Sequence, residues 1–159
     1  MNKLSKTLNS LNFLPEPLKM KAISFILGNT VKYVGTSGVQ FNKISSNELV
    51  ASLDNMTKVR NHIGQIHAIA TALLAETATG IIVGVNIPDN KLPLMKSMKI
   101  DYIKRSKGAQ TAVATLSNEQ IDTIKNSDKG ELLVAVKVTD ETGTEVVKAE
   151  MLWAWILKK

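Results

Sequence analysis

The 159-residue chain contains no cysteine, which excludes disulfides, thiolate nucleophiles and cysteine-ligated metals. Aromatic residues make up only 4% of it, and the basic residues are lysines except for Arg60 and Arg105. Sequence-reading nucleic-acid binders rely on arginine and aromatic platforms, so the formal charge of +6 points to a smaller polyanion and no nucleic-acid partner is expected. The N-terminus "MNKLSKTLNSLNFLPEP" lacks the apolar core of a signal peptide, and "AISFIL" is too short to be one or to span a bilayer. Residues 63–88 approach spanning length, but alanine, threonine and glycine dominate them and Glu76 sits near their middle, which argues against a membrane partner. A soluble, cytoplasmic protein is the expectation. No repeat, low-complexity segment or linker divides the chain, so residues 1–159 are read as one domain with residues 1–30 a helical segment packed on it.

What is present orders itself by periodicity. After Pro17, the residues Leu18, Ala22, Phe25 and Ile26 fall at helical spacing, and Gly28-Asn29 reads as a stop, so an amphipathic helix is predicted there. "GVQFNKISSNELVASLD" alternates around a polar Ser45-Ser46-Asn47 turn and reads as a hairpin. Residues 65–83 are apolar on nearly every side, which predicts a buried helix, and their small side chains suit close packing on a curved sheet. Strands follow at "LMKSMKIDYIKR", "QTAVATLS" and "ELLVAVKVTD", the last turning through Glu141-Thr142-Gly143 into "EVVKAEMLWAWIL". Ser117 with Gln120 resembles a capping box that opens a short helix between two of them. The pattern predicts an α+β domain, an antiparallel sheet curled around one long central helix.

One carboxylate stands out. Between Arg60 and Asp89 only Glu76 carries a full charge, in surroundings apolar enough to penalise ionisation. Upstream lie Asn61, Gly64 and His67, and Glu76 follows the histidine by nine residues. His62 and His67 are five apart, share no helix face and have no cysteine to join them, so no metal site is read here. In the basic segment "KLPLMKSMKIDYIKRSKG", Lys104, Arg105 and Lys107 could hold phosphate charges electrostatically.

The N-x-x-G-x-x-H run and its downstream acid resemble the signature of hotdog-fold thioesterases of the phenylacetyl-CoA type. The chain also resembles, end to end, an uncharacterised bacterial family of that superfamily through "NHIGQIHA", "LLAETATG", "LPLMKSMK" and "MLWAWI". The resemblance implies a hotdog fold and a homodimer, with a tetramer as the larger alternative, whose two sheets continue edge to edge. It implies hydrolysis of an acyl-CoA or related thioester without cofactor. On this mapping Ala68 stands where a backbone N–H polarises the thioester carbonyl, Asn61 and His67 lie beside it, Gly64 counts among the substrate-binding residues, and Glu76 of the partner subunit activates water or attacks. Many such relatives have two glycines after the histidine where this chain has Ala68-Ile69, and some carry serine or threonine where it has Gly80. The alternatives are a non-catalytic hotdog module that binds an acyl thioester or small apolar ligand, and a hydratase, against which the nine-residue interval counts.

Overall fold

The computed structural model describes residues 2–158. Six strands form one antiparallel sheet: β1 (Gln40–Ile44), β2 (Glu48–Leu53), β3 (Lys91–Tyr102), β4 (Gln110–Thr115), β5 (Gly130–Asp140) and β6 (Glu145–Leu157), in the spatial order β1-β2-β4-β5-β6-β3. Around them stand α1 (Lys3–Asn9), α2 (Glu16–Thr30), α3 (Lys32–Ser37), the central α4 (Ala68–Asn86) and α5 (Asn118–Asn126). Helix α4 packs against β2, β3, β4, β5 and β6, so the sheet wraps it. This is the hotdog fold, with β1 and β3 as the two free edges of the sheet.

Alternation builds the wrapping. In β2 the inward residues Leu49, Ala51 and Leu53 are fully buried while their neighbours are half-covered, and β4 answers with Ala112 and Ala114 in register. Alanines on these strands let α4 approach closely, and its own Leu74, Ala75, Ala78, Ile82 and Val83 are fully buried against them. On β6, Val147, Met151, Trp153 and Trp155 face inward, as the alternation predicts, but Leu157 at the strand end is exposed. Pro93 lies in β3, at the sheet edge, where a missing N–H interrupts no interior ladder.

Helix α4 begins three residues later than the periodicity suggests and is not covered all round. Ala72, Leu73, Glu76, Gly80, Ile81 and Gly84 form a half-exposed stripe at helical spacing. The charged residue lies on that stripe, which resolves the apparent conflict between a carboxylate and a buried helix. At the far end of α4, Asn2 donates through Nδ2 to the carbonyls of Gly84 (2.7 Å) and Val85 (3.3 Å), while its Oδ1 caps α1 by accepting from the Ser5 N–H. One side chain thus satisfies the end of one helix and the start of another.

The N-terminal helices differ from the expectation in two ways. The inward face of α2 carries Met20, Ile23 and Leu27, whereas Leu18 and Phe25 point outward at 54% and 74% exposure. Apolar residues occur on both faces, so periodicity alone does not select one. Gly28-Asn29 does not stop the helix, which runs on to Thr30 before α3 turns back. Gly28 instead permits helix contact: a Cβ on it would stand 3.0 Å from the Gly35 Cα, and one on Gly35 would stand 2.4 Å from the Gly28 carbonyl oxygen. The capping box at α5 is formed in both directions, Gln120 N–H to Ser117 Oγ and Ser117 N–H to Gln120 Oε1.

Candidate active site

The segment entering α4 is a tied turn. The Asn61 carboxamide oxygen accepts from the N–H groups of Ile63 (3.0 Å) and Gln65 (3.1 Å), the Gly64 N–H returns to the Asn61 carbonyl, and Gly64 takes φ +76°. A Cβ on Gly64 would meet nothing within 4 Å, so the glycine is there for its backbone angle and not for space. This accounts physically for the N-x-x-G spacing: an asparagine folds the turn and the third residue after it must be left-handed. The Arg60 guanidinium donates to the Asn55 carbonyl, and the His67 N–H donates to the Val59 carbonyl, which fixes where the helix starts.

His67 is the N-cap of α4, and its Nδ1 accepts the Ile69 N–H at 3.1 Å. That bond requires a lone pair on Nδ1, so the neutral ring carries its proton on Nε2. Ala68, the first helical residue, has an N–H with no acceptor among the described residues outside its own helix. Such a donor, at the positive end of a 19-residue helix, suits a developing negative charge. Ile69 is 57% exposed and stands over this helix start.

Four of the residues singled out in the sequence share one cavity of about 460 Å³: Asn61, Ala68, Lys104 and Arg105. Strand β3 ends at Tyr102, so the two cations stand on the loop that follows it and not on the strand. Lys107 lies outside the lining; its backbone N–H donates to Asp140 Oδ2 at 2.9 Å, which ties the loop to the β5–β6 hairpin. The Asp140 carboxylate is held below its ordinary value, first by the Thr142 hydroxyl and then by the N–H groups of Lys107, Thr142 and Thr144.

Tyr102 and Gln110 are among the lining residues that the sequence does not single out. The Tyr102 hydroxyl donates to the Ala68 carbonyl at 2.6 Å, and burial pushes that phenol up. Gln110, buried at 1% exposure, donates to Ser106 Oγ but its Oε1 has no partner among the described residues. The signal for Tyr102 was present, since it is one of only two tyrosines and sits inside the basic segment. Gln110 opens a strand and looks like any other strand polar residue.

Glu76 lies elsewhere. It lines a second, smaller cavity of about 250 Å³ with Thr77, Gly80, Trp153 and residues of α2 and α3. Burial raises its pKa above the ordinary 4.5, and the neighbouring Thr77 hydroxyl acts in the opposite direction. Eight residues of α-helix separate Ala68 from Glu76, an axial rise of about 12 Å. Within one chain the free N–H and the carboxylate therefore address different spaces. Among the described residues no group of three or more histidine, aspartate or glutamate side chains is placed to hold a metal ion.

A family model described as a domain of unknown function, DUF4442, matches residues 19–156. The chain belongs to the DUF4442 family. The match begins within α2 and takes in α3, the tied turn and all of the sheet but the last residue of β6. No curated protein matches this DUF4442 chain. Among solved structures it is similar to PA5026 of Pseudomonas aeruginosa, described as a probable thioesterase, with 22% identity, TM-score 0.77, and coverage of 91% of this chain and 97% of that one. It is similar also to thioesterase HI1161 of Haemophilus influenzae (13% identity, TM-score 0.70, 87% and 90% covered). The thioesterase SAV0944 of Staphylococcus aureus gives 19% identity and TM-score 0.67 over 79% of this chain and 98% of that one. At these identities the likeness is one of fold, the hotdog.

Proposed function

We propose that this DUF4442 protein is a cytoplasmic thioester hydrolase that works as a homodimer, with acyl-CoA as the substrate class. The observation that carries the reading is the separation of the two reactive features: a free helix-start N–H in one cavity and a pKa-raised carboxylate in another, on the same helix. Two subunits related by a two-fold axis can bring one of each together, and the free edge of β3 offers the place for two sheets to join. The solved hotdog neighbours described as thioesterases support the same reaction class.

In this mechanism the thioester carbonyl oxygen accepts the Ala68 N–H of one subunit, and the partner subunit's Glu76 removes a proton from water as it attacks. The negative charge that develops on the carbonyl oxygen is stabilised by that N–H and by the helix dipole; one such donor is worth about 10²–10³ in rate. Collapse of the tetrahedral intermediate breaks the C–S bond, and the glutamic acid returns its proton to the departing thiolate. A raised pKa suits a base operating near neutral pH. Lys104 and Arg105, on the wall of the Ala68 cavity, hold the phosphates of coenzyme A. Asn61 and His67 act on the reaction by positioning: one folds the turn, the other caps the helix, and both fix the Ala68 N–H.

A panel of acyl-CoA esters, with released thiol as the readout, tests the reading. Turnover that disappears in Glu76→Gln supports it. Saturable binding of acyl-CoA with no thiol release from any ester would make the protein a non-catalytic acyl-binding module instead.

A further inference from the structure

At the end of α4 away from Ala68 lies a cavity of about 600 Å³, bounded by α1, α2, the β1–β2 turn and the end of α5. Pockets that take small organic molecules measure roughly 300–1,000 Å³. Leu8, Met20, Ile23, Ile44 and Val85 give this one apolar walls. Hydrogen bonds sort its polar groups into used and unused. Asn2 and Ser5 are spent on closing α4, the Ser5 hydroxyl donating to the Val85 carbonyl at 2.7 Å. The Asp89 carboxylate accepts the Lys3 N–H with both oxygens, at 2.9 and 3.1 Å.

Asn86 is different. It is only 7% exposed, and its Nδ2 donates to the carbonyls of Ser46 (2.8 Å) and Ile82 (2.9 Å). Two carbonyl partners decide which end of the carboxamide is nitrogen. Its Oδ1 accepts from no donor among the described residues, yet it is not sealed in protein as Thr77 Oγ1 and Gln110 Oε1 are, so it faces the cavity. A side chain more than nine-tenths buried thus holds out a fixed acceptor for a donor from outside. Two cations share the lining. Lys125 gives its main-chain carbonyl to Lys91, but its own ammonium has no ion-pair partner among the described residues. Lys19 Nζ is 3.6 Å from Glu16 Oε2, and that carboxylate is 67% exposed, which makes the pair weak.

We infer that this cavity is a second ligand site and that it takes a hydroxy acid with an apolar body. The ligand hydroxyl donates to Asn86 Oδ1, at the negative end of the α4 dipole where a donor is favoured. The carboxylate lies with Lys19 and Lys125, and the hydrocarbon covers Leu8, Met20 and Ile23. An ammonium would also donate to Asn86, but it brings a positive charge to a lining whose two cations face one carboxylate already held by the Lys3 N–H. The inference is independent of the hydrolase reading, because Asn86 lies about 27 Å along the helix from Ala68.

One eight-carbon skeleton tests it. Binding of 2-hydroxyoctanoate, 3-hydroxyoctanoate, octanoate and 2-aminooctanoate to the full-length protein is measured by calorimetry, while the Asn86 side-chain amide resonance reports where each binds. At least one hydroxy acid should bind with a Kd of about 1 mM or tighter and move that resonance as the site fills. Octanoate should bind about two- to tenfold more weakly, and 2-aminooctanoate more weakly than the matching hydroxy acid. Lys125→Ala and Lys19→Met should each weaken the hydroxy acid about two- to fivefold, and Arg105→Ala, at the other end of α4, should not. Lys125 is exposed and its main-chain bond to Lys91 survives the substitution, so that variant keeps its fold. The site is overturned if neither hydroxy acid saturates, if binding leaves the Asn86 resonance in place, or if both lysine variants bind as wild type does. Octanoate or 2-aminooctanoate binding as tightly as the hydroxy acids would equally overturn it, since Asn86 would then be reading no hydroxyl.

Discussion

The Cζ2–Cη2 edge of the Trp153 indole stands where Gly80 has no side chain: a Cβ there would come within 2.7 Å of both carbons. The ring is fixed, because its Nε1 donates to Thr79 Oγ1 at 2.9 Å. Where some relatives carry a hydroxyl one turn beyond the acid, this chain has given the space to tryptophan.

Gly80→Ala should therefore destabilise the fold by about 1–3 kcal/mol through overpacking, despite the gain of about 1 kcal/mol in helix propensity. Gly84→Ala, one turn on, is the matched control: its Cβ would meet only the flexible end of Leu4, at 3.4 Å. That variant should be neutral or more stable by up to about 1 kcal/mol. Urea midpoints for the pair check the sign, and equal shifts would contradict the account of Trp153.

Glu76→Gln should lower thioester hydrolysis at least about 10²-fold, because the amide is nearly isosteric with the acid but is no base. Its effect on stability should depend on pH in a definite direction. Since burial holds the folded-state pKa above 4.5, below pH 4.5 the carboxyl is protonated in both states and the variant matches wild type. As pH rises through the window between 4.5 and the raised value, the unfolded chain ionises first and wild type loses stability that the variant keeps. The gap in melting temperature should widen across that window and then level off. A gap that shrinks as pH rises would mean the carboxylate is stabilised in the fold.

Much of this was legible in the residues, and the failures are physical. The hairpin, the central helix and the last two strands follow from alternation and from runs of small residues, which leave few other ways to bury that surface. The inward face of α2 was not legible, because Leu18 and Phe25 compete with Met20 and Ile23 and only packing chooses. Gly28 reads as a stop in one dimension and as a helix contact in three. In the site, Asn61, Gly64 and His67 are visible as a spacing, yet what the structure gives them is turn and cap geometry. The basic segment marks Tyr102 as a candidate, but its bond to a main-chain carbonyl exists only in the folded chain.

Charge removal at the cavity mouth should divide the basic loop. Lys104→Ala and Arg105→Ala should raise KM for acyl-CoA and make it less sensitive to salt, whereas Lys107→Ala should do little, since that side chain is outside the lining. Turnover of a short thioester lacking the nucleotide should be unchanged in all three. Equal effects on both substrates would remove the phosphate role from this loop.

Proline at the helix start isolates the proposed donor. His67, with φ −62° and ψ 143°, already has the extended conformation that a residue before proline prefers, and the first helical position tolerates the ring. Ala68→Pro should thus cost little stability and abolish most hydrolysis, while Ala68→Ser keeps both. Circular dichroism melts beside kcat check this, and similar losses in the two variants would point to crowding and not to the N–H.

Those variants also decide whether the site is shared. Ala68 and Glu76 of one chain are about 12 Å apart along the helix and line different cavities, so on the proposed reading each active site takes its N–H from one subunit and its carboxylate from the other. Homodimers of Ala68→Pro and of Glu76→Gln are then impaired at both sites. Co-refolding the two changes the outcome, because a mixed dimer collects both lesions in one site and leaves the other with wild-type Ala68 and Glu76. With random equal mixing, half the dimers are mixed and each has one intact site of two, so activity should recover to about a quarter of wild type. A site held within one chain gives no recovery, since every subunit still carries a lesion. Subunit exchange is verified independently, by affinity-tagging one variant and recovering the other with it. Activity that stays at the level of the parents despite that exchange would leave the hotdog fold untouched and end the shared-site mechanism.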